Sequence, residues 1–122
     1  MLTIITCDEI VKILFKDSKL ESLANDTKLA RRRLGPRRAK LLRRRLDDLE
    51  DAETLEVIRF LLGRCHELKG DLAGKLSIDL DHPSRLLFRP AHNPIPQKPD
   101  GGLDWSRVTA IEVTEIRDTH AG

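Results

Sequence analysis

Tyrosine is absent, and the other aromatics are three phenylalanines and one tryptophan in 122 residues. A broad aromatic platform for stacking unpaired bases is not expected. Two cysteines, Cys7 and Cys65, are too few for a disulfide scaffold and fit free thiols in a reducing cytoplasm. No C-x-x-C occurs, and the four histidines have no zinc spacing, so no metal or other cofactor is expected. Long apolar runs are missing too. The opening MLTIITCDEIVKILF has no basic n-region, and Asp8 and Glu9 interrupt its apolar residues. It reads as neither signal peptide nor membrane span, which implies a cytoplasmic protein with no membrane partner.

What is present is charge. Charged residues make up 34% of the chain and hydrophobic ones 39%, the balance of one globular domain with chain enough for one core. Net charge is only +2, yet Lys28 to Arg45 holds ten basic residues and no acid. Asp47, Asp48, Glu50 and Asp51 follow at once. The average hides a local cationic surface, which is what a polyanion meets.

Along the chain, residues 9–16 alternate, with Val11, Ile13 and Phe15 on one side and Lys12 and Lys16 on the other. This predicts a strand, with residues 1–9 as an extension or lead-in. Asp17 or Ser18 is placed to cap a helix running to about Leu34. Gly35 ends it, and Pro36 suits the first turn of the next helix, which reaches about Ala52. Ala39, Leu42, Leu46 and Leu49 fall at i, i+3, i+7 and i+10 and form its apolar face. A short helical segment is expected over 54–62.

The period then becomes two. Leu76, Ile78 and Leu80 face one way, and Lys75, Ser77 and Asp79 the other. Asp81 to Ser84 is a turn. In the next strand Leu86 and Phe88 point in, while Arg85, Leu87 and Arg89 point out. Residues 108–118 form another strand, whose apolar residues fall on both phases (Ile111 and Val113, then Ile116). That pattern fits either a strand covered on both faces or a bulge. Four of the six prolines lie in residues 90–105, an extended loop. The order β-α-α-β-β-β predicts an α+β domain over residues 10–120, with helices on one small antiparallel sheet.

The stretch HELKGDLAGKLSIDL, residues 66–80, looks at first like a phosphate-binding loop. A P-loop needs G-x-x-x-x-G-K-[ST] and must open a helix. Here the glycine spacing is one residue short, Leu76 follows Lys75, and the pattern after it is a strand. A glycine turn between extended segments is the better reading.

The residues around that turn carry more chemistry. His66 and Lys69 precede it, Lys75 follows it, Arg85 and Arg89 share one face of the next strand, and the chain ends with Asp118, Thr119 and His120. If adjacent strands align these ends, two imidazoles and several cations converge. Such a set suffices for metal-free RNA cleavage: one group takes the 2′-OH proton, another protonates the leaving 5′ oxygen, and cations stabilise the phosphorane. Histidine suits proton transfer because its unperturbed pKa is near ~6.5. The alternatives are plainer. His82 and His92 read as solvated surface residues, His120 as part of a tail, and Arg85 and Arg89 as partners of Glu112 or Glu115 on a neighbouring strand.

In the second helix Arg37, Arg38, Lys40, Arg43, Arg44 and Arg45 precede the acids. This opposes the helix macrodipole at a cost of about 0.3–1 kcal/mol per charge. Arg43–Asp47 and Arg44–Asp48 pairs recover only about 0.2–0.5 kcal/mol each. Local stability does not account for the order, whereas binding of a polyanion, RNA or an acidic protein face, does.

From Arg64 onward, RCHELKGDLAGKLSIDLDHPSRLLFRPAHNPIP and DGGLDWSRVTAIEVTEIRDTH resemble the HigB-type toxins of the RelE/ParE superfamily. The likeness spans most of residues 10–120 and is looser in the helices. It implies a RelE-like α+β fold and a toxin of a type II toxin–antitoxin system, a ribosome-dependent endoribonuclease that cleaves mRNA without a metal. A helix-turn-helix antitoxin of HigA type is implied as partner, with operator DNA reached only through it. Carried over, the family's functional residues fall on His66, Lys69, Arg85, Asp118 and His120. His120 is then general base or acid, Asp118 its supporting carboxylate, His66 a second proton-transfer or phosphate-binding group, and Lys69 and Arg85 the stabilising cations. Arg37, Arg38, Lys40, Arg43, Arg44, Lys75 and Arg89 are the expected nucleic-acid contacts. Thr119 stands where relatives carry tyrosine. Two other readings stand beside this one: a non-enzymatic inhibitor of DNA gyrase, as in the ParE branch, and an inactive remnant that binds only its antitoxin.

Overall fold

A computed structural model describes residues 11–61 and 64–118 of the chain. Strand β1 (Lys12–Phe15) is followed by helices α1 (Ser18–Asn25), α2 (Thr27–Leu34), α3 (Pro36–Asp51) and the single turn α4 (Leu55–Ile58). Then come β2 (His66–Glu67), β3 (Leu76–Asp79), β4 (Ser84–Pro90) and β5 (Ala110–Asp118). The sheet order is β1-β5-β4-β3-β2. This is the expected α+β architecture, and β2 to β5 pair antiparallel as expected. At one edge the expectation needs correcting: β1 pairs parallel with β5. The chain leaves β1 through the helices and returns to its side only in the last strand, running the same way.

The expected helix over 19–34 is two helices. Asp17 caps α1 through Leu20 N at 2.9 Å, and Asp26, itself extended, caps α2 through Leu29 N at 3.0 Å. An aspartate offering its side chain to backbone N–H groups ends one helix and begins another. Gly35, at φ +89° and ψ +156°, occupies backbone space nearly closed to other residues and turns the chain into Pro36.

Ala39, Leu42, Leu46 and Leu49 of α3 are buried, as their spacing predicts. Leu42, Leu46 and Leu49 pack with Leu55 and Ile58 of α4 over Leu76, Ile78, Leu86, Phe88, Ile111 and Val113 of the sheet. Each large side chain so buried contributes about 1.5–3 kcal/mol relative to exposure. The two phases in β5 resolve as a bulge. Phe88 pairs with Val113 and Leu87 with Glu115, so Thr114 is the extra residue, its Oγ1 donating to Leu87 O at 3.2 Å. The bulge returns Ile116 to the core side, opposite Leu86.

Two pairings differ from expectation. Asp48 pairs with Arg45, at 3.7 Å, rather than Arg44. His92 is not merely solvated: its Nε2 accepts from Thr109 N at 3.0 Å and pins the proline-rich loop.

Candidate functional site on the outer sheet face

The glycines of residues 66–80 do turn the chain. Gly70 and Gly74 have φ of +67° and +93°, and Leu68 N donates to Lys75 O at 2.9 Å. The turn closes a β2–β3 hairpin that sets His66 opposite Ser77 and Glu67 opposite Leu76. Leu76 lies in the core, so His66 joins the other face of the sheet.

Alternation places Ser77 and Asp79 of β3, Arg85, Leu87 and Arg89 of β4, and Glu112, Glu115 and Arg117 of β5 on that outer face. Leu87 points out, as its place in the alternation predicts, yet it is fully buried, as is Ser77. The register partners of Leu87 on this face are Ser77 and Glu115, and Arg85 and Arg89 stand on either side of it along the strand. The hydroxyls of Ser77 and Ser84 are buried without a hydrogen-bond partner among the described residues.

Charge is organised around Asp79. Its Oδ1 lies 3.5 Å from Arg85 Nε and its Oδ2 3.7 Å from Arg64 Nε. Arg117 donates twice to Glu115, at 2.9 Å each. His66 is exposed, and its Nδ1 lies 3.0 Å from Arg64 O. One patch thus joins an imidazole, three arginines and two carboxylates. Arg64, Asp79, Glu115 and Arg117 are not candidates that sequence reasoning singles out. Period-two alternation carried to the end of β5, with the bulge placed, would find Glu115 and Arg117.

Of the other expected catalytic residues, Lys69 is exposed at the hairpin turn. Asp118 pairs in register with Ser84, next to the Arg85–Arg117 pair. Thr119 and His120 lie outside the described residues. Lys75 is half-buried beside a cavity of about 180 Å³, shared with Glu67 and Ile95 of the proline-rich loop. Glu67 accepts from Trp105 Nε1 at 2.9 Å, and Arg59 stacks 4.1 Å above that indole. The Cys65 thiol is buried; burial pushes its pKa up to about 12, against the opposing field of Arg59. It is a core side chain, not a nucleophile. Among the described residues no group of three or more His, Cys, Asp and Glu is placed to hold a metal ion.

The cations expected to contact nucleic acid divide. Arg38 is bound to Asp81 at 2.8 Å. Arg43 reaches Asp47 at 3.0 Å, Glu50 at 3.8 Å and Ala24 O at 2.7 Å. Arg89 holds Glu112 at 2.7 Å, a pairing the plainer reading allowed. Arg45 is buried on Asp79 O, at 2.9 Å. Arg37, Lys40 and Arg44 are exposed and form no ion pair with the described residues, and neither do Arg31, Arg32 and Arg33 of α2. These six are exposed positive charges on two helices that pack against each other.

A mixed five-stranded sheet with helices packed on one face and a charged strand face on the other makes an α+β fold. Solved structures share it. The chain is similar to the YoeB/ParE toxin from Agrobacterium tumefaciens, with a TM-score of 0.56 and 16% identity over 90% of this chain and 100% of that one. It is similar also to the YoeB–YefM complex from Staphylococcus aureus, with a TM-score of 0.51 and 16% identity over 88% of this chain and 94% of that one. The YoeB dimer from Staphylococcus aureus gives a TM-score of 0.50 and 17% identity over the same shares. At such identities the likeness is one of fold. No protein-family model matches the chain, and no curated protein sequence matches it.

Proposed function

We propose that the chain is the toxin of a type II toxin–antitoxin pair and cleaves mRNA on the ribosome as a metal-independent endoribonuclease of HigB type. One observation carries this reading. His66 shares the outer sheet face with Arg64, Arg85 and Arg117, and the Asp118 position adjoins Arg85 through the Ser84 register pair. A non-enzymatic inhibitor has no use for a proton-transfer group among phosphate-sized cations.

In the proposed reaction the 2′ oxygen attacks the adjacent phosphorus as its proton passes to a base. A phosphorane forms, the P–O5′ bond breaks, and an acid protonates the leaving 5′ oxygen. The products are a 2′,3′-cyclic phosphate and a 5′-OH. His66 and His120 share the proton work, Asp118 supports His120, and Arg85 and Lys69 stabilise the phosphorane. Arg37, Lys40 and Arg44, with the arginines of α2, grip the RNA backbone away from the scissile bond. The fold shared with a toxin solved in complex with YefM supports an antitoxin partner; the helix-turn-helix type rests on the sequence resemblance.

Induction of the chain in bacteria is expected to arrest growth, and a His120→Ala, Arg85→Ala double mutant is not. Mapping RNA 5′ ends after induction then decides the mechanism. Cuts within translated codons support the ribonuclease, while intact RNA with damaged DNA would point to a gyrase inhibitor.

A further inference from the structure

Arg64 is the one non-glycine with positive φ, +54°, among the described residues. Left-handed backbone at a side-chain-bearing residue persists only where its surroundings hold it, and such residues gather at functional sites. Here the surroundings are visible. Cys65 is buried in the core cluster and anchors the segment, while Arg64 and His66 on either side of it are exposed. The turned backbone brings Arg64 O to 3.0 Å from His66 Nδ1. A carbonyl oxygen can only accept, so Nδ1 carries the hydrogen. In the neutral ring Nε2 is then the lone-pair nitrogen.

We infer that Arg64 is a positioning residue for the proposed ribonuclease reaction: its left-handed backbone fixes the His66 tautomer, leaving Nε2 to accept the proton. The inference rests on the reading above. The same residue has a second role through its side chain. That side chain is 81% exposed, and its Nε lies 3.7 Å from Asp79, the carboxylate that also holds Arg85. Backbone and side chain of Arg64 thus set the base and one phosphate-sized cation side by side. The charged groups sharing that sheet face with His66 are Arg64 before it and Asp79 and Arg85 on the two strands beyond, whereas Glu67, next along its strand, faces the other side and holds Trp105.

Two variants separate these roles. Arg64→Gly keeps the left-handed backbone and loses the cation; Arg64→Val loses the cation and also refuses that backbone. Nitrogen-15 NMR of His66 at a pH where the ring is neutral reads the tautomer in the isolated protein. Wild type and Arg64→Gly are expected in the Nδ1–H form, and Arg64→Val shifted toward the Nε2–H form. On a ribosome–mRNA complex, Arg64→Gly raises KM with kcat nearly unchanged, whereas Arg64→Val also lowers kcat by roughly tenfold or more. An Nε2–H ring in wild type, or an Arg64→Val ring and kcat identical to those of Arg64→Gly, overturns the inference. Absence of cleavage in wild type with the expected tautomers would instead sink the proposed reaction and leave Arg64's hold on the ring standing.

Discussion

Asp79 and Arg85 face each other across a register pair of β3 and β4, 3.5 Å apart, with both side chains about two-thirds buried. Arg85 is therefore already held in place, as the proposed phosphate contact requires. A partly exposed pair of this kind contributes at most about 1 kcal/mol to stability. Arg85→Ala is expected to lower single-turnover cleavage on programmed ribosomes by about 100-fold, the scale of one missing transition-state donor. Its thermal unfolding should stay near that of the parent. A variant that unfolds readily, or one that cleaves at the parental rate, contradicts this.

The exposed cations of α3 predict a salt effect. Replacing Arg37, Lys40 and Arg44 together by glutamine should flatten the dependence of log affinity on log salt by about two to three units, roughly 0.7–0.9 for each phosphate left without its cation. Filter binding or fluorescence titration between low and moderate salt reads this. Because none of the three pairs with a described residue, stability should change by no more than about 0.5 kcal/mol.

Asp81 supplies a pH prediction. Burial alone would raise its pKa, but hydrogen bonds from Arg38 and the backbone, with the charges of Arg38 and Arg37, outweigh it and lower the value. A carboxylate depressed on folding adds stability above its unfolded pKa of about 3.9, and that stability is lost as pH falls through the lower folded value. Arg38→Gln should therefore be less stable than the parent at pH 7, with the gap closing below about pH 4. Urea unfolding at several pH values measures it; a gap independent of pH would assign Arg38's contribution to other contacts.

Two positions test the frame. Leu86→Ala empties a fully buried site in the central strand and should cost about 2–5 kcal/mol. Gly35→Ala places a Cβ where nothing lies within 4 Å, so its cost is backbone strain alone, about 1–3 kcal/mol. Denaturant midpoints for both variants check these values.

Much of the frame was legible because it follows local periodicity. The buried face of α3, the alternation of β3 and β4, the turn at 81–84 and the Gly35–Pro36 break all depend on neighbours a few residues apart. The bulge was half-legible: Ile111, Val113 and Ile116 announced a change of phase, but only pairing with β4 identified Thr114 as the extra residue. The split at Asp26 is not legible in the spacing, because it depends on a competing side-chain hydrogen bond, accepted by Asp26 from Leu29 N, rather than on hydrophobic periodicity.

By itself the sequence determined which residues seek water and which avoid it, and hence the elements and their inward faces, since these depend on side-chain chemistry repeated at the helical or strand period. Tertiary structure alone decided that β1 lies parallel to β5 and that Leu87 is buried on the outer face. It also decided that Asp79 joins Arg64 to Arg85, and that Arg38 and Arg43 are held by carboxylates while Arg37, Lys40 and Arg44 are not. Those outcomes depend on which distant segments become neighbours, and a charge acquires its partner only when the sheet register and helix packing bring one within reach.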